Sequence, residues 1–201
     1  MKPAREAVSS FDLIVLEQNT PEWHWWRNQG IGASDAPCVM GEDPWKSVEA
    51  LRREKLHPKP GGIGTAAMRR GLALEPAART SYSATRGTVV QSACVQNRRR
   101  PWMRASLDGL NAREERVVEI KCGTSCYRRT AAGRTVPRGY YGQLQHILAV
   151  LDYSSIDFWC YSPGRRPLLV EIGRDENYIA RLIAREQEFW DVLGSTASAG
   201  A

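Results

Sequence analysis

Asp108, Glu119 and Lys121 are the residues of this 201-residue chain whose types and spacing carry the clearest chemistry. Glu119 and Lys121 stand two apart in VVEIKC (117–122), an apolar run that reads as a buried strand. Asp108 lies in ASLDGL, near the end of the strand before it. Side chains on a strand alternate faces, so Glu119 and Lys121 share one face while Val118, Ile120 and Cys122 share the other. If the two strands pair as a hairpin, Asp108 approaches Glu119. Two carboxylates brought together repel, and a hard divalent cation between them relieves the repulsion. Mg²⁺ takes one or two protein carboxylates and keeps waters for substrate phosphates, and an ammonium beside it can position a water and stabilise charge on the phosphate. That chemistry is metal-assisted phosphodiester hydrolysis. The same residues also read as a plain buried salt bridge beside a surface aspartate, because E-x-K alone occurs by chance in most proteins. A buried pair of that kind costs several kcal/mol of desolvation unless it is compensated.

A second candidate lies near the N-terminus. Arg27 precedes GIGASD (30–35), where Ser34 is placed at a helix start among glycines. A guanidinium fork and unpaired N–H groups make an anion pocket, and a helix cap beside a surface arginine is the alternative. The net charge of +6 and the pI near 9.2 come almost entirely from arginine, since the chain holds five lysines against 23 arginines. Guanidinium groups suit phosphate oxygens, although a solvated basic surface has the same composition. The five cysteines are odd in number, scattered, and lack CxxC or CxxH partners, which points to reduced thiols rather than to structural zinc. The three histidines do not cluster, and His146 reads as a packing residue. Trp23, Trp25, Trp26 and Trp45 read as core or interface residues more readily than as base-stacking platforms.

The elements that must position these groups follow from capping and periodicity. A helix is expected over 20–30, with Thr20 as cap and Pro21 in its first turn, then a second short helix capped by Ser34 and Asp35. Ser47 caps VEALRREKL, 57–65 reads as a loop, and 66–87 as a long helix in which Pro76 marks a break or kink. Strands are expected at 88–95, 102–110 and 116–122, a long arginine-rich loop at 123–139, and a helix at 140–152. Strands at 155–162 and 167–173 and an Asp175-capped helix at 175–193 follow, then a disordered tail over 194–201. This order predicts an α/β domain with a central mixed sheet flanked by helices, spanning 1–193, with a helical part over about 20–87 and a catalytic sheet with its helices over about 88–193. No apolar run is long enough for a transmembrane helix and the first residues lack a signal-peptide core, so a cytoplasmic protein with no membrane partner is expected.

Taken together, these segments resemble the YqaJ-type and lambda-exonuclease-type phage recombination nucleases of the PD-(D/E)XK superfamily. WHWWRNQGIGASDAPCVMGEDPW (23–45) is similar to the family's N-terminal signature, and GLALEPAA (71–78) to its glutamate helix. SLDGL and VEIKC are similar to the two metal strands, and YYGQLQHILAV (140–150) to the Y-x-x-Q-x-Q helix that follows. The resemblance implies a restriction-endonuclease-like core and a Mg²⁺-dependent 5′→3′ exonuclease that digests double-stranded DNA and leaves 3′ single-stranded overhangs. Mn²⁺ can substitute for Mg²⁺ in such sites. The resemblance also implies that Asp108, Glu119 and the backbone carbonyl of Ile120 hold metal, and that Glu75 helps hold a second ion, directly or through water. By the same resemblance Lys121 orients the water, Gln143 lies beside it, and Arg27 and Ser34 bind the 5′-phosphate. A homotrimer around the duplex and a single-strand annealing partner are further implications. Two positions depart from the family pattern: Leu107 stands where the superfamily name has proline, and Gly123 where a proline is common. Alternatives are an endonuclease or branched-DNA repair nuclease of the same superfamily, or a non-catalytic DNA-binding recombination accessory protein.

Overall fold

The computed structural model describes residues 9–58 and 65–199. Its elements are β1 (Phe11–Ile14), α1 (Pro21–Asn28), β2 (Ile31–Gly32), a 3-10 turn (Ala33–Asp35), α2 (Ala36–Val39), α3 (Val48–Leu56), α4 (Ala66–Arg86), β3 (Gln91–Asn97), β4 (Met103–Asn111), β5 (Arg116–Cys122), α5 (Thr124–Gly133), α6 (Arg138–Leu151), β6 (Ser155–Tyr161), β7 (Leu168–Gly173) and α7 (Glu176–Ala199). The strands of the described residues form one mixed sheet in the order β1-β3-β4-β5-β6-β7, with β2 added in parallel to β4. Neighbours along that order are antiparallel except β5 and β6, which run parallel because α5 and α6 carry the chain across between them.

Each face of the sheet is covered for a reason visible in the sequence. Val118 and Ile120 pack with Ala78 and Tyr82 of α4, Val90 and Trp159 on one face. On the other face, Val117, Leu107 and Ala105 meet Leu144, Ile147, Leu148 and Leu151 of α6. Those four α6 side chains are at most 1% exposed, so truncating any of them to alanine costs about 2–5 kcal/mol. α6 is thus fixed rigidly over the strand face that carries Glu119 and Lys121.

Several expectations are corrected. The segment 123–139, expected as a loop, contains α5, whose Cys126, Tyr127 and Thr130 turn inward while Arg128 and Arg129 stay exposed. Gly123 enters it at φ +144°, a conformation closed to proline, which accounts for the departure from the family's residue at this position. α4 passes through Pro76 without ending, because Ala78 and Tyr82 beyond it are fully buried and anchor the second half. Strands β1 and β2 were not expected. α7 continues to Ala199, so 194–199, expected as a disordered tail, extend the last helix. Most of the loop expected at 57–65, namely 59–64, lies outside the described residues, as do the first residues read for a signal peptide and the end of the tail. Ser34 and Asp35 do not cap α2, since neither side chain bonds to its first turn. Thr20, Ser47 and Asp175 accept from backbone N–H groups at their helix starts as expected.

Candidate active site

The charged face of β5 is built from the end of a ladder. β4 and β5 pair from Asn111↔Arg116 to Gly109↔Val118, and the pairing stops there. On its other side β4 pairs with β3 as Leu110↔Gln91 and then Leu107↔Ala93, so Asp108 and Gly109 together oppose the single residue Ser92. This is a β-bulge, a device that re-aims a side chain next to a functional site. A side chain at Gly109 would come within 2.7 Å of both Val118 and Val90, so the bulge closes only on glycine. Asp108, released from regular alternation, turns to the end of the β4–β5 ladder, where its Oδ2 accepts the Ile120 N–H at 2.7 Å. The N–H and C=O of one strand residue leave by the same edge, so the Ile120 carbonyl also faces the Asp108 side.

Glu119 is 2% exposed and lies at the centre of a closed hydrogen-bond triangle. Its Oε1 accepts from Lys121 Nζ at 2.6 Å and from Gln143 Nε2 at 2.7 Å, and Gln143 Oε1 accepts from the same Nζ at 3.3 Å. Its Oε2 is buried and has no partner. The Lys121 side chain keeps 24% of its exposure, and its ammonium lies 4.9 Å from the centre of the Tyr140 ring. Burial works against the charged lysine, but Glu119 and Asp108 outweigh it and raise its pKa, so the ammonium stays protonated. The Asp108 carboxyl is pushed well above the ordinary range, first by burial and then by the like charges of Glu119 and Glu75, with Lys121 opposing. Glu75 is raised by burial, with Arg79 opposing.

Glu75 belongs to this electrostatic neighbourhood but is already occupied, its Oε1 accepting from Arg79 Nη2 one helical turn on. Arg79 Nε also donates to the Asp108 carbonyl at 2.5 Å, so one guanidinium ties α4 to the bulge. The reading of the sequence missed Arg79. The available signal was the i,i+4 acid–base spacing in EPAAR, which occurs on many surface helices.

Among the described residues, no three His, Cys, Asp or Glu side chains are grouped so as to hold a metal by themselves. The donor set that fits a hard divalent cation is smaller: the carboxylates of Asp108 and Glu119 with the Ile120 carbonyl. One or two carboxylates completed by waters is what Mg²⁺ accepts. A cation held by these donors would give the unpartnered Glu119 Oε2 a partner and offset the charge repulsion felt by Asp108.

Arg27 and Ser34 are also brought together, as a separate pair. Arg27 Nη2 donates to the exposed Ser34 Oγ at 2.5 Å and stands 3.8 Å from Asp35. Asp35 is buried, is bound by Lys55 at 2.7 Å and accepts the Gly32 N–H at 3.0 Å. Burial disfavours its charge, yet Lys55 and Arg27 hold its pKa well below the carboxylate range. The guanidinium therefore rests on a fixed anion and against the Trp23 ring, 5.5 Å away. Trp23 and Trp26 are buried as expected, whereas Trp25 and Trp45 are 70% and 77% exposed. His146 is fully buried, as expected for packing, and pairs with Glu186 at 2.7 Å. Arg69 and Arg70 are exposed at the start of α4. No helix among the described residues is long and apolar enough to cross a membrane.

The mixed sheet, the helix laid over its charged strand and the D…E-x-K set at the ladder's end define the α/β fold of the PD-(D/E)XK type. Solved structures match it: an alkaline exonuclease from Laribacter hongkongensis superposes with a TM-score of 0.79 at 25% identity, covering 90% of this chain and 95% of that one. A phage-related exonuclease from Haemophilus somnus 129PT superposes with a TM-score of 0.64 at 15% identity, covering 86% and 96%, a likeness of fold alone. The YqaJ-like viral recombinase domain matches over residues 22–154, and the chain belongs to that family. The uncharacterized protein YqaJ of Bacillus subtilis (strain 168) is 28% identical over 190 residues, which span 91% of this chain and 60% of that relative.

Proposed function

We propose that this protein is a metal-dependent deoxyribonuclease of phage-type recombination, a 5′→3′ exonuclease that degrades one strand of a duplex from a 5′-phosphorylated end and leaves a 3′ overhang. One observation carries the nuclease reading: Glu119 is held by Lys121 and Gln143 through a single oxygen, its other oxygen is buried and unpartnered, and its charge acts on Asp108, the carboxylate that the bulge presents. Family membership and the likeness to an alkaline exonuclease support the same chemistry.

In this reading Asp108, Glu119 and the Ile120 carbonyl hold Mg²⁺, or Mn²⁺ in its place, and Glu75 joins a second ion, which requires it to leave Arg79. The bound cation supplies Lewis acidity toward the scissile phosphate and lowers the pKa of a water. Lys121, fixed by Glu119 and Gln143, presents an ammonium proton to the attacking water and positive charge to the phosphate. Tyr140 shields that ammonium on one side. Arg27 and Ser34 bind the terminal phosphate, with Asp35 and Lys55 setting the guanidinium's position. The exposed Arg128 and Arg129 on α5 contact the duplex backbone. Action in the cytoplasm, assembly as a homotrimer encircling DNA and cooperation with a single-strand annealing protein belong to the same proposal and rest on the family alone.

Timed digestion of linear duplexes labelled at either end, with and without a 5′-phosphate, tests this reading. It expects early loss of 5′ label as mononucleotides and faster digestion of phosphorylated ends, with the preference erased in Arg27→Ala. Cleavage of circular duplex at a comparable rate contradicts exonuclease action and favours an endonuclease of the same superfamily.

A further inference from the structure

The proposed chemistry makes no use of Cys126 and Cys160. Cys126 lies on the first turn of α5, half-buried, and Cys160 is fully buried on β6. Their sulfurs are 3.5 Å apart. The hydroxyl of Thr130, one turn after Cys126, lies 3.4 Å from the Cys160 sulfur and 4.0 Å from that of Cys126. The three groups form one polar cluster at the seam of helix and sheet. Both thiols are free, in a chain whose other cysteines take no part in the cluster.

Three features set this pair apart from thiols that merely fill a core. First, the two sulfurs are unequal in access, one at a helix start that reaches solvent and one sealed beneath it. Second, their protonation is unequal: the Cys126 pKa is lowered, chiefly by its hydrogen bond with Cys160 and then by Thr130, Lys121 and Arg129, while the Cys160 pKa is raised by the same bond and by burial. Third, Cys122 lies on the other face of its strand, packed with Ala78, Tyr82 and Ile120, apart from the cluster that holds Cys126 and Cys160. Reactive thiols are the exposed, electropositively placed, readily ionised ones.

We infer that Cys126 and Cys160 form a thiol–disulfide site, with Cys126 as the thiol attacked by hydroperoxides and Cys160 as its resolving partner. In the first step the Cys126 thiolate displaces on the peroxide. A sulfur–oxygen bond forms, the O–O bond breaks, and the leaving oxygen departs as water or an alcohol after taking a proton, leaving a sulfenic acid. In the second, the Cys160 sulfur attacks that sulfenic sulfur, the S–S bond forms, and the hydroxyl leaves as water with the Cys160 proton. Two thiols are oxidised and one hydroperoxide is reduced. From 3.5 Å, reaching a bond length of about 2.05 Å needs an approach of about 1.5 Å. Cys160 is the register partner of Lys121, so the bond would tie α5 to the strand beside the lysine.

Hydroperoxide treatment of the full chain, followed by peptide mapping without reduction, tests the site independently of nuclease activity. The expected result is a Cys126–Cys160 linkage, the loss of two free thiols of the five and full recovery of both on dithiothreitol treatment. Cys126→Ser should abolish the loss of thiols. Cys160→Ser should stop at a Cys126 sulfenic acid trappable by dimedone. Because the mapping uses the unmodified chain, it decides even if Cys160→Ser fails to fold. Retention of all five thiols overturns the inference, as does a linkage through Cys122, or oxidation of Cys126 to sulfinic acid with no linkage.

Discussion

Two carboxylates in this molecule are buried beneath α6 in similar ways. Glu119 is held by Gln143 and Lys121, and Glu186 by His146, three residues after Gln143 on the same helix. Each has one oxygen hydrogen-bonded and the other buried without a partner. They differ in access and in charge balance. His146 and Glu186 are both completely sealed, one basic group facing one acidic group, with the other ring nitrogen of His146 3.0 Å from the Arg104 carbonyl. Around Glu119, Lys121 reaches solvent and faces two carboxylates, with Glu75 adding a third influence on Asp108. A sealed and balanced pair locks helices together. An accessible ammonium among carboxylates whose protonation is perturbed is the pattern that functional sites show.

This contrast predicts opposite consequences for substitution. Lys121→Gln keeps a donor for Glu119 but removes the ammonium. It should lower nucleotide release by about 10²–10³-fold, the scale of losing one fixed electrostatic group, with little change in the denaturant midpoint. His146→Ala leaves Glu186 buried without its base and should cost about 3–5 kcal/mol of stability in denaturant titration. Its specific activity per folded molecule should stay near that of the parent. If Lys121→Gln unfolds the protein while His146→Ala silences a folded one, the two regions have been assigned the wrong way round.

A smaller effect concerns pH. The Asp108 pKa is raised in the fold, so above the ordinary carboxylate range the folded state holds a proton that the unfolded state has released. The unfolded chain then binds fewer protons, and metal-free stability falls as pH rises through that window. Asp108→Asn removes this dependence. The variant should gain on the parent in thermal midpoint as pH rises above the ordinary carboxylate range, and added Mg²⁺, which favours the ionised pair, should narrow the gap. The least effect is expected for Gln143→Ala, about 10-fold in activity, since Lys121 retains its bond to Glu119.

The legible and illegible parts of the molecule divide along the same physical lines. Glu119 and Lys121 could be read because strand alternation makes two charges on one buried face conspicuous. Gln143 was legible only through a family resemblance. Arg79 was hidden because an i,i+4 pair on a helix says nothing about a strand bulge distant in sequence. The bulge itself left one mark, a glycine inside a strand at position 109. α5 was obscured by its composition: a narrow inward stripe of Cys126, Tyr127 and Thr130 among arginines looks aperiodic until β6 gives it something to pack on. β1 comprises four residues and owes its existence to pairing with β3, a long-range contact that no local pattern encodes. The cap expected at Asp35 failed because its carboxylate is more strongly claimed by Lys55.

The central claim is that Asp108 and Glu119 make a cation site that hydrolyses DNA. The most direct measurement follows acid-soluble nucleotides released from a linear 5′-phosphorylated duplex by the parent protein and by Asp108→Asn, each with Mg²⁺ and with a chelator. Asparagine can still accept the Ile120 N–H, so the fold should persist. The account predicts release by the parent with Mg²⁺ alone, and a loss of about 10³-fold or more in the variant. Equal release by parent and variant, or release undiminished by the chelator, would contradict it.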